Sequence, residues 1–172
     1  MKFFRRNLWA FAIFIFLNGC SDDDSATGPS TTPNDPYPGG FHSTVIQADD
    51  GGQLTYGDFT VIIPEEAIDD WMVLSVGVPE DPPDYAAPSP DFRQIGYTYE
   101  AGSTISDFLS GVTVQFVYND TDLGDLEEAE LLIWKYDSLD VVLGEVEQIQ
   151  IDTTENVISG LTASLAYFVL GG

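Results

Sequence analysis

The sequence predicts an all-β fold, a single β-sandwich of the immunoglobulin-like type, and two observations carry that prediction. Beyond residue 42, segments rich in Val, Ile, Tyr, Phe and Thr recur roughly every 8 to 15 residues, with turn residues between them. No long window shows the period of about 3.6 residues that an amphipathic helix requires. Short strands without long helices are typical of two packed antiparallel sheets.

The clearest hairpin lies in residues 51–67. Phe59, Val61 and Ile63 alternate with less apolar neighbours, which predicts a strand with one buried face. Pro64 ends this strand, because proline has no N–H to donate to a neighbouring strand. We place the strands near residues 43–48, 52–56, 58–63, 71–78, 93–100, 112–118, 130–136, 139–143, 146–151, 155–159 and 161–170.

Prolines and side-chain periodicity predict the structure of several other segments. Residues 65–70, after the proline, are the best candidate for a single helical turn, and residues 81–90 contain four prolines and predict a loop. Residues 112–118 alternate in polarity, and in residues 131–136 the side chains of Leu132, Trp134 and Tyr136 share one face. Both stripes predict core positions rather than a ligand platform.

Charge and composition exclude several classes of function. The formal net charge is −24, and beyond residue 19 only Arg93 and Lys135 oppose all 29 acidic residues. Such a chain has no basic patch for nucleic acid or for an anionic membrane surface. Cys20 is the single cysteine and His42 the single histidine, which excludes zinc clusters and most Ser-His or Cys-His catalysis. We therefore predict no catalytic residue, no metal site and no cofactor.

Residues 1–19 have the parts of a secretory signal. Basic residues at the start precede an apolar run over residues 8–17, which is too short to span a bilayer. The end of the run resembles the lipobox of bacterial lipoproteins: Leu17, Gly19 and Cys20 match, whereas Asn18 is larger than the usual Ala or Ser. The resemblance implies cleavage between Gly19 and Cys20 and lipid on Cys20; an ordinary signal peptide is the alternative.

Residues 20–42 predict a disordered tether, because Asp, Ser, Thr, Pro and Gly dominate and there is little to bury. The Ser-Asp-Asp-Asp run at residues 21–24 resembles the acidic export signal of Bacteroidetes-type surface lipoproteins; a plain solvated linker explains it equally well. We expect a protein of the bacterial cell envelope, held in the outer membrane by the lipid on Cys20. The folded domain is then residues 43–172.

The strand pattern resembles the ZU-five domain, a β-sandwich found in ankyrins, netrin receptors and bacterial secreted proteins. The match covers roughly residues 50 to 171 and consists of residues 51–54, 61–67, 97–100, 112–118, 131–136 and 151–157. Self-cleaving relatives use a His and a Ser in the final strand, and here Ser164 and Ala166 occupy those positions. The resemblance therefore implies no self-cleavage. Glu66 also stands where the family usually has glycine.

Clusters of acidic residues are candidates for a catalytic pair or a calcium site. With 29 acidic residues, some carboxylate pair will meet the separation of a glycosidase by chance. Residues 119–125 are the best calcium candidate, but their spacing fails the EF-hand pattern and predicts a solvated turn. Asp49-Asp50 and Asp69-Asp70 are predicted loop charges, and His42 is predicted to be exposed without a nucleophile beside it.

The layout predicts a non-enzymatic module displayed at the cell envelope for interaction with another protein or a glycan. A carbohydrate-binding module is the rival class, because aromatic residues make up 13% of the chain and secreted sandwiches can stack sugars on exposed rings. Two or more exposed coplanar rings would favour it. A carboxylate-only hydrolase is a further alternative, for which the chain has little room. The candidate stacking residues are Tyr56, Trp71, Tyr85 and Tyr97.

Overall fold

The computed structural model of the protein describes residues 38–137 and 142–172, and these form two antiparallel β-sheets packed face to face. The predicted all-β sandwich is confirmed. Within the described residues, helix is limited to one turn, α1 (Asp120–Leu123), and a 3-10 segment, Glu128–Glu130, and no helix could cross a membrane. The strands are β1 (Gly40–Gln47), β2 (Gly52–Tyr56), β3 (Phe59–Ile63), β4 (Trp71–Val78), β5 (Gln94–Ser103), β6 (Val112–Val117), β7 (Leu132–Tyr136), β8 (Gly144–Glu145), β9 (Glu147–Asp152), β10 (Val157–Thr162) and β11 (Tyr167–Gly171).

The chain passes from one sheet to the other several times. The six-stranded sheet has the order β1-β4-β5-β11-β7-β8, and the five-stranded sheet has the order β2-β3-β6-β10-β9. The strands β2 and β3 form one hairpin, whereas β1 and β2 lie in different sheets and close one side of the sandwich. Several predicted features lie outside the described residues: the leader, Cys20, most of the tether and most of segment 139–143.

The core lies between the two inner faces. In β3, Phe59, Val61 and Ile63 are at most 1% exposed, as their alternation predicts. The Phe59 ring contacts Phe116 of the same sheet at 4.7 Å between centroids, and Tyr99 and Phe168 of the other sheet at 5.1 and 5.4 Å. This aromatic cluster joins the two sheets at their centre.

Residues 65–70 form turns and bends instead of the predicted helical turn. Glu66 has φ of 58°, a left-handed conformation that a right-handed helix cannot contain. The Glu66 N–H donates to the Ala48 carbonyl at 2.8 Å, and the Ala48 N–H donates to the Asp70 carbonyl at 2.7 Å. Hydrogen bonds to the end of β1 therefore replace the local bonds that a helix would make.

Strand boundaries differ most from the prediction at the start of β1 and around β10 and β11. β1 begins at Gly40, three residues before the predicted start of the domain. Near the end of the chain, β10 continues through Gly160 to Thr162, and residues 163–166 separate it from β11. The Thr162 hydroxyl donates to the Ser164 carbonyl at 2.8 Å, which closes a turn in the middle of the predicted strand 161–170.

Arg93 fixes the turn that contains α1. Its guanidinium donates to the Leu123 carbonyl at 2.7 Å and to the Asp122 carbonyl at 3.0 Å. Gly124 follows with φ of 61°, and a Cβ atom there would lie 2.1 Å from the guanidinium nitrogen. Glycine at this position therefore serves both the left-handed backbone and the close approach of the arginine.

We expect Phe59→Ala to lower the free energy of unfolding by about 3–5 kcal/mol, the usual cost of removing a buried phenylalanine ring. Urea denaturation followed by circular dichroism measures the change. Gln53→Ala, an exposed position on the neighbouring strand β2, is the control and should change stability by less than about 0.5 kcal/mol. A Phe59→Ala variant as stable as the control would contradict the central position of the ring.

Candidate functional site

The outer face of the six-stranded sheet is covered on one half. Residues 79–93, which include the proline-rich segment predicted as a loop, run between β4 and β5 and place Tyr85 and Phe92 on this face. The Tyr85 ring packs against Tyr136 at 5.1 Å between centroids, and Phe92 packs against Trp134 at 5.9 Å. The Tyr136 hydroxyl donates to the Pro83 carbonyl at 3.0 Å. The loop thereby shields β7 and β11 from water.

The other half of this outer face, on β1 and β4, remains exposed. We call it the uncovered face. The two strands pair residue by residue over their full length, so directly opposed side chains point to the same side. Phe41, Val45 and Trp71 are 44%, 55% and 53% exposed. None of the outward-pointing residues carries a charge; they are Phe41, Ser43, Val45, Gln47, Trp71, Val73, Ser75 and Gly77.

Phe41 is held in place by the glycine opposite it. Gly77 pairs with Phe41, and a Cβ atom on Gly77 would lie 2.5 Å from the Phe41 ring and 2.2 Å from the Gly40 oxygen. The ring therefore lies over the glycine backbone, an arrangement that covers the exposed glycine and fixes the ring. Phe41 nevertheless remains exposed to solvent.

Trp71 marks the opposite end of the uncovered face. It pairs with Gln47, six residues along β1 from Phe41, which is roughly 20 Å at the rise of a strand. Trp71 borders a shallow hollow of about 420 Å³. Its polar lining comes from Asp69, Asp70, Thr104, Ser106 and Asp107. An aromatic ring and carboxylates thus share one open depression.

Glu100 lies at the boundary between the two halves of the outer face. It pairs with Gly77 on one side and with Tyr167 on the other. Burial raises the pKa of the Glu100 carboxyl, and its hydrogen bond with the Tyr167 hydroxyl opposes that shift. Glu100 therefore places a half-buried carboxyl group beside the apolar row that begins at Phe41.

The four candidate stacking residues are separated in the structure. Tyr56 is 4% exposed, which leaves its ring no open face, and Tyr85 is packed within the covered half. Trp71 and Tyr97 are exposed, but they lie in opposite directions from the pair Leu74↔Ser103. Trp71 is three residues from Leu74 along β4, and Tyr97 is six residues from Ser103 along β5. Their separation of roughly 30 Å is too large for one platform.

His42 and the acidic segment 119–125 are not brought together into one site. His42 lies in β1, where its ring meets Tyr56 edge-on at 4.8 Å. In segment 119–125 the Asp120 carboxylate accepts from the Asn156 amide at 3.0 Å. Among the residues that the structure describes, no group of three or more His, Cys, Asp or Glu side chains is arranged to hold a metal ion.

Lys135 forms a polar link between the sheets that the sequence did not reveal. Its ammonium group donates to the Ser164 hydroxyl at 3.0 Å and to the Thr162 hydroxyl at 3.2 Å. Lys135 belongs to β7 in one sheet and Thr162 to β10 in the other. The lysine lines a hollow of about 350 Å³ with Glu145 and Glu147. This network joins the sheets at their edge, and Ser164 takes part in it as an acceptor.

Comparison of the sequence with models of known protein families gives no match, and comparison with characterised proteins gives none either. The ZU-five resemblance thus remains a prediction from the strand pattern. The uncovered face is the site on which the functional argument depends.

Alkaline pH should destabilise the protein through its buried tyrosines. Burial raises the pKa of Tyr136 to about 12 and that of Tyr118 to about 12, above the value of about 10 for an unfolded tyrosine. The folded state then holds protons that the unfolded state has lost, so the stability contributed by these tyrosines is fully present below about pH 10 and is lost as the pH rises towards 12.

Tyr136→Phe tests this linkage. It should cost about 0.5–1.5 kcal/mol at neutral pH through loss of the bond to Pro83, and it should make the alkaline decline shallower. Urea midpoints across the alkaline range measure both effects. Tyr97→Phe, at an exposed ring, is the matched control. An unchanged alkaline slope in Tyr136→Phe would contradict the role assigned to its burial.

Proposed function

We propose that this chain is a non-enzymatic, lipid-anchored protein of the bacterial cell envelope, and that it binds another protein through the uncovered face. The observation that carries the proposal is an exposed apolar strip without charge in a chain with 29 acidic residues. Exposed apolar patches on otherwise polar surfaces mark interaction sites. Half-exposed aromatic residues such as Trp71 are the side chains that most often dominate binding energy.

The course of the chain suits display of this face. The predicted tether leads into β1 at Gly40, whereas Trp71 pairs with Gln47 at the other end of the same strand. Eight residues of strand separate these ends by about 25 Å. With lipid on Cys20, the Trp71 end is the one farther along the chain path from the attachment point.

A glycan is the second candidate, favoured by Trp71 beside carboxylate and hydroxyl groups in one hollow. Sugar sites commonly pair a stacking ring with such hydrogen-bonding groups. Against this stands the separation of the exposed rings, because Phe41 and Trp71 lie roughly 20 Å apart and Trp71 and Tyr97 roughly 30 Å apart. A protein partner is therefore the better supported of the two.

The anchor is tested by intact-mass analysis of protein extracted from membranes. We expect a mature chain that begins at Cys20 and carries diacylglycerol with or without a further acyl chain, because one chain alone binds membranes only marginally. Cys20→Ala should release the protein from the membrane fraction. An unmodified mature chain, or a Cys20→Ala chain that stays membrane-bound, would contradict the anchoring proposal.

The binding surface is tested by a photo-crosslinking amino acid placed at Val45 in cells. We expect a defined protein adduct from this position, because Val45 lies in the middle of the uncovered face. Gln150, an exposed residue of the edge strand β9 in the other sheet, is the matched control and should give none. Equal adducts at both positions, or none at Val45, would contradict the assigned surface. A glycan array probed with the same protein separates the second candidate.

A further inference from the structure

We infer that the partner segment bound on the uncovered face is basic: an extended polypeptide stretch with apolar side chains that ends in lysine or arginine. This inference rests on the proposed function and adds the chemistry of the partner. Its basis is the charge arrangement around the face. The strip is uncharged. Three aspartates line the hollow at its Trp71 end, and one carboxyl group, that of Glu100, stands beside its Phe41 end.

The carboxyl groups are placed where a partner on the strip would meet them. Asp69, Asp70 and Asp107 line the hollow next to Trp71. Glu100 follows Gly77 in the row that starts at Phe41. A peptide lying along β1 and β4 would thus bury apolar side chains on the strip, bring one end to the three aspartates and bring its other end near Glu100. Complementary charge speeds association and selects partners.

The protein offers these acids few cations of its own. Beyond residue 19, Arg93 and Lys135 are the two basic residues of the sequence. Arg93 donates to carbonyls of the α1 turn, and Lys135 donates to the hydroxyls of Thr162 and Ser164. Neither contacts the hollow beside Trp71. A cation on the partner would therefore meet an unneutralised negative potential there.

Trp71 adds a second attraction for the same group. The indole face binds lysine and arginine side chains more strongly than other aromatic rings do. An arginine guanidinium can stack on a ring and donate to carboxylates at once, because it is planar with donors at its edge. The hollow supplies one exposed indole and three carboxylates, which matches that chemistry.

A second copy of this chain fits the face less well. Two copies would bring acidic groups of both chains together in either orientation, which opposes association. The half-exposed Phe41 and Trp71 rings contribute on the order of 100 Å² each. A standard interface buries about 800 Å² on each partner, so this strip suits a segment of a few residues. An anionic membrane surface is repelled by the same acids.

The test uses full-length protein in detergent micelles and three labelled peptides. Each peptide has the same stretch Val-Thr-Val-Phe-Val, followed by three lysines, three serines or three glutamates. Fluorescence anisotropy measures binding. We expect the lysine peptide to bind about tenfold more tightly than the serine peptide, and the glutamate peptide not to bind. The preference should weaken at high salt, since the screening length falls from about 10 Å at 0.1 M to about 3 Å at 1 M.

Two variants locate the effect. The double variant Asp69→Asn with Asp70→Asn should remove most of the lysine preference and leave binding of the serine peptide unchanged. Trp71→Ala should weaken both peptides. Asp152→Asn, on the exposed end of β9, is the matched control and should change neither. Circular dichroism and urea midpoints equal to those of the parent chain establish that each variant is folded.

The possible results distinguish a failure of the basic-partner inference from a failure of the proposed protein-binding function. Equal affinity for lysine and serine peptides, or a lysine preference that survives in the double aspartate variant, overturns the basic partner. If no peptide binds while Val45 still gives its protein adduct, the inference fails and the proposed function stands. If neither occurs and a glycan array gives a specific ligand, both fail.

Discussion

The packing of Phe59 against rings from both sheets is the interaction on which the structure depends. Its contacts with Tyr99 and Phe168 cross from the five-stranded sheet to the six-stranded sheet, and its contact with Phe116 lies within its own sheet. Each sheet is an array of short strands that bury only one face well. The free energy gained by burying these inner faces has to exceed the repulsion among the many acidic residues of the domain and the loss of chain entropy.

That requirement also explains where the few cations are used. Arg93 and Lys135 are placed in structural contacts, one at the α1 turn and one between β7 and β10. Because these two cations are held in structural contacts, the rest of the described surface carries acids and neutral groups. On such a surface, an uncharged strip with an exposed tryptophan is set apart chemically from its surroundings. This contrast identifies the uncovered face, since single exposed apolar residues are normal on soluble proteins.

Local patterns predicted the strands well where one face is buried. The bounds of β2, β3 and β4 agree with the sequence to within one residue, because alternation and turn residues are both clear there. Long-range contacts account for most of the differences. Residues 65–70 are shaped by hydrogen bonds to β1, and the break after Thr162 depends on a side-chain turn, so neither could be read from helical or strand periodicity.

The candidate site could be predicted only in part for a related reason. Alternation shows that a strand has two faces, but it cannot show what covers the outer one. Trp71, Tyr56 and Tyr85 are equivalent candidates in the sequence, but tertiary packing buries Tyr56 and leaves Tyr85 only partly exposed. Phe41 gave no signal in the sequence, because its position depends on a glycine in another strand. The link from Lys135 to Ser164 likewise joins distant parts of the chain.

The covered half of the outer face shows how such a surface is satisfied within this molecule. An extended, proline-containing segment crosses β7 and β11, places two aromatic rings on the sheet and accepts a hydrogen bond from Tyr136 through a backbone carbonyl. Ala86 of this segment even forms a parallel bridge with Val142. On β1 and β4 the same sheet has a similar apolar surface and no described segment over it. The proposed partner segment would bury that surface by the same physical interactions, and in this proposal the acids at the ends of the strip select it.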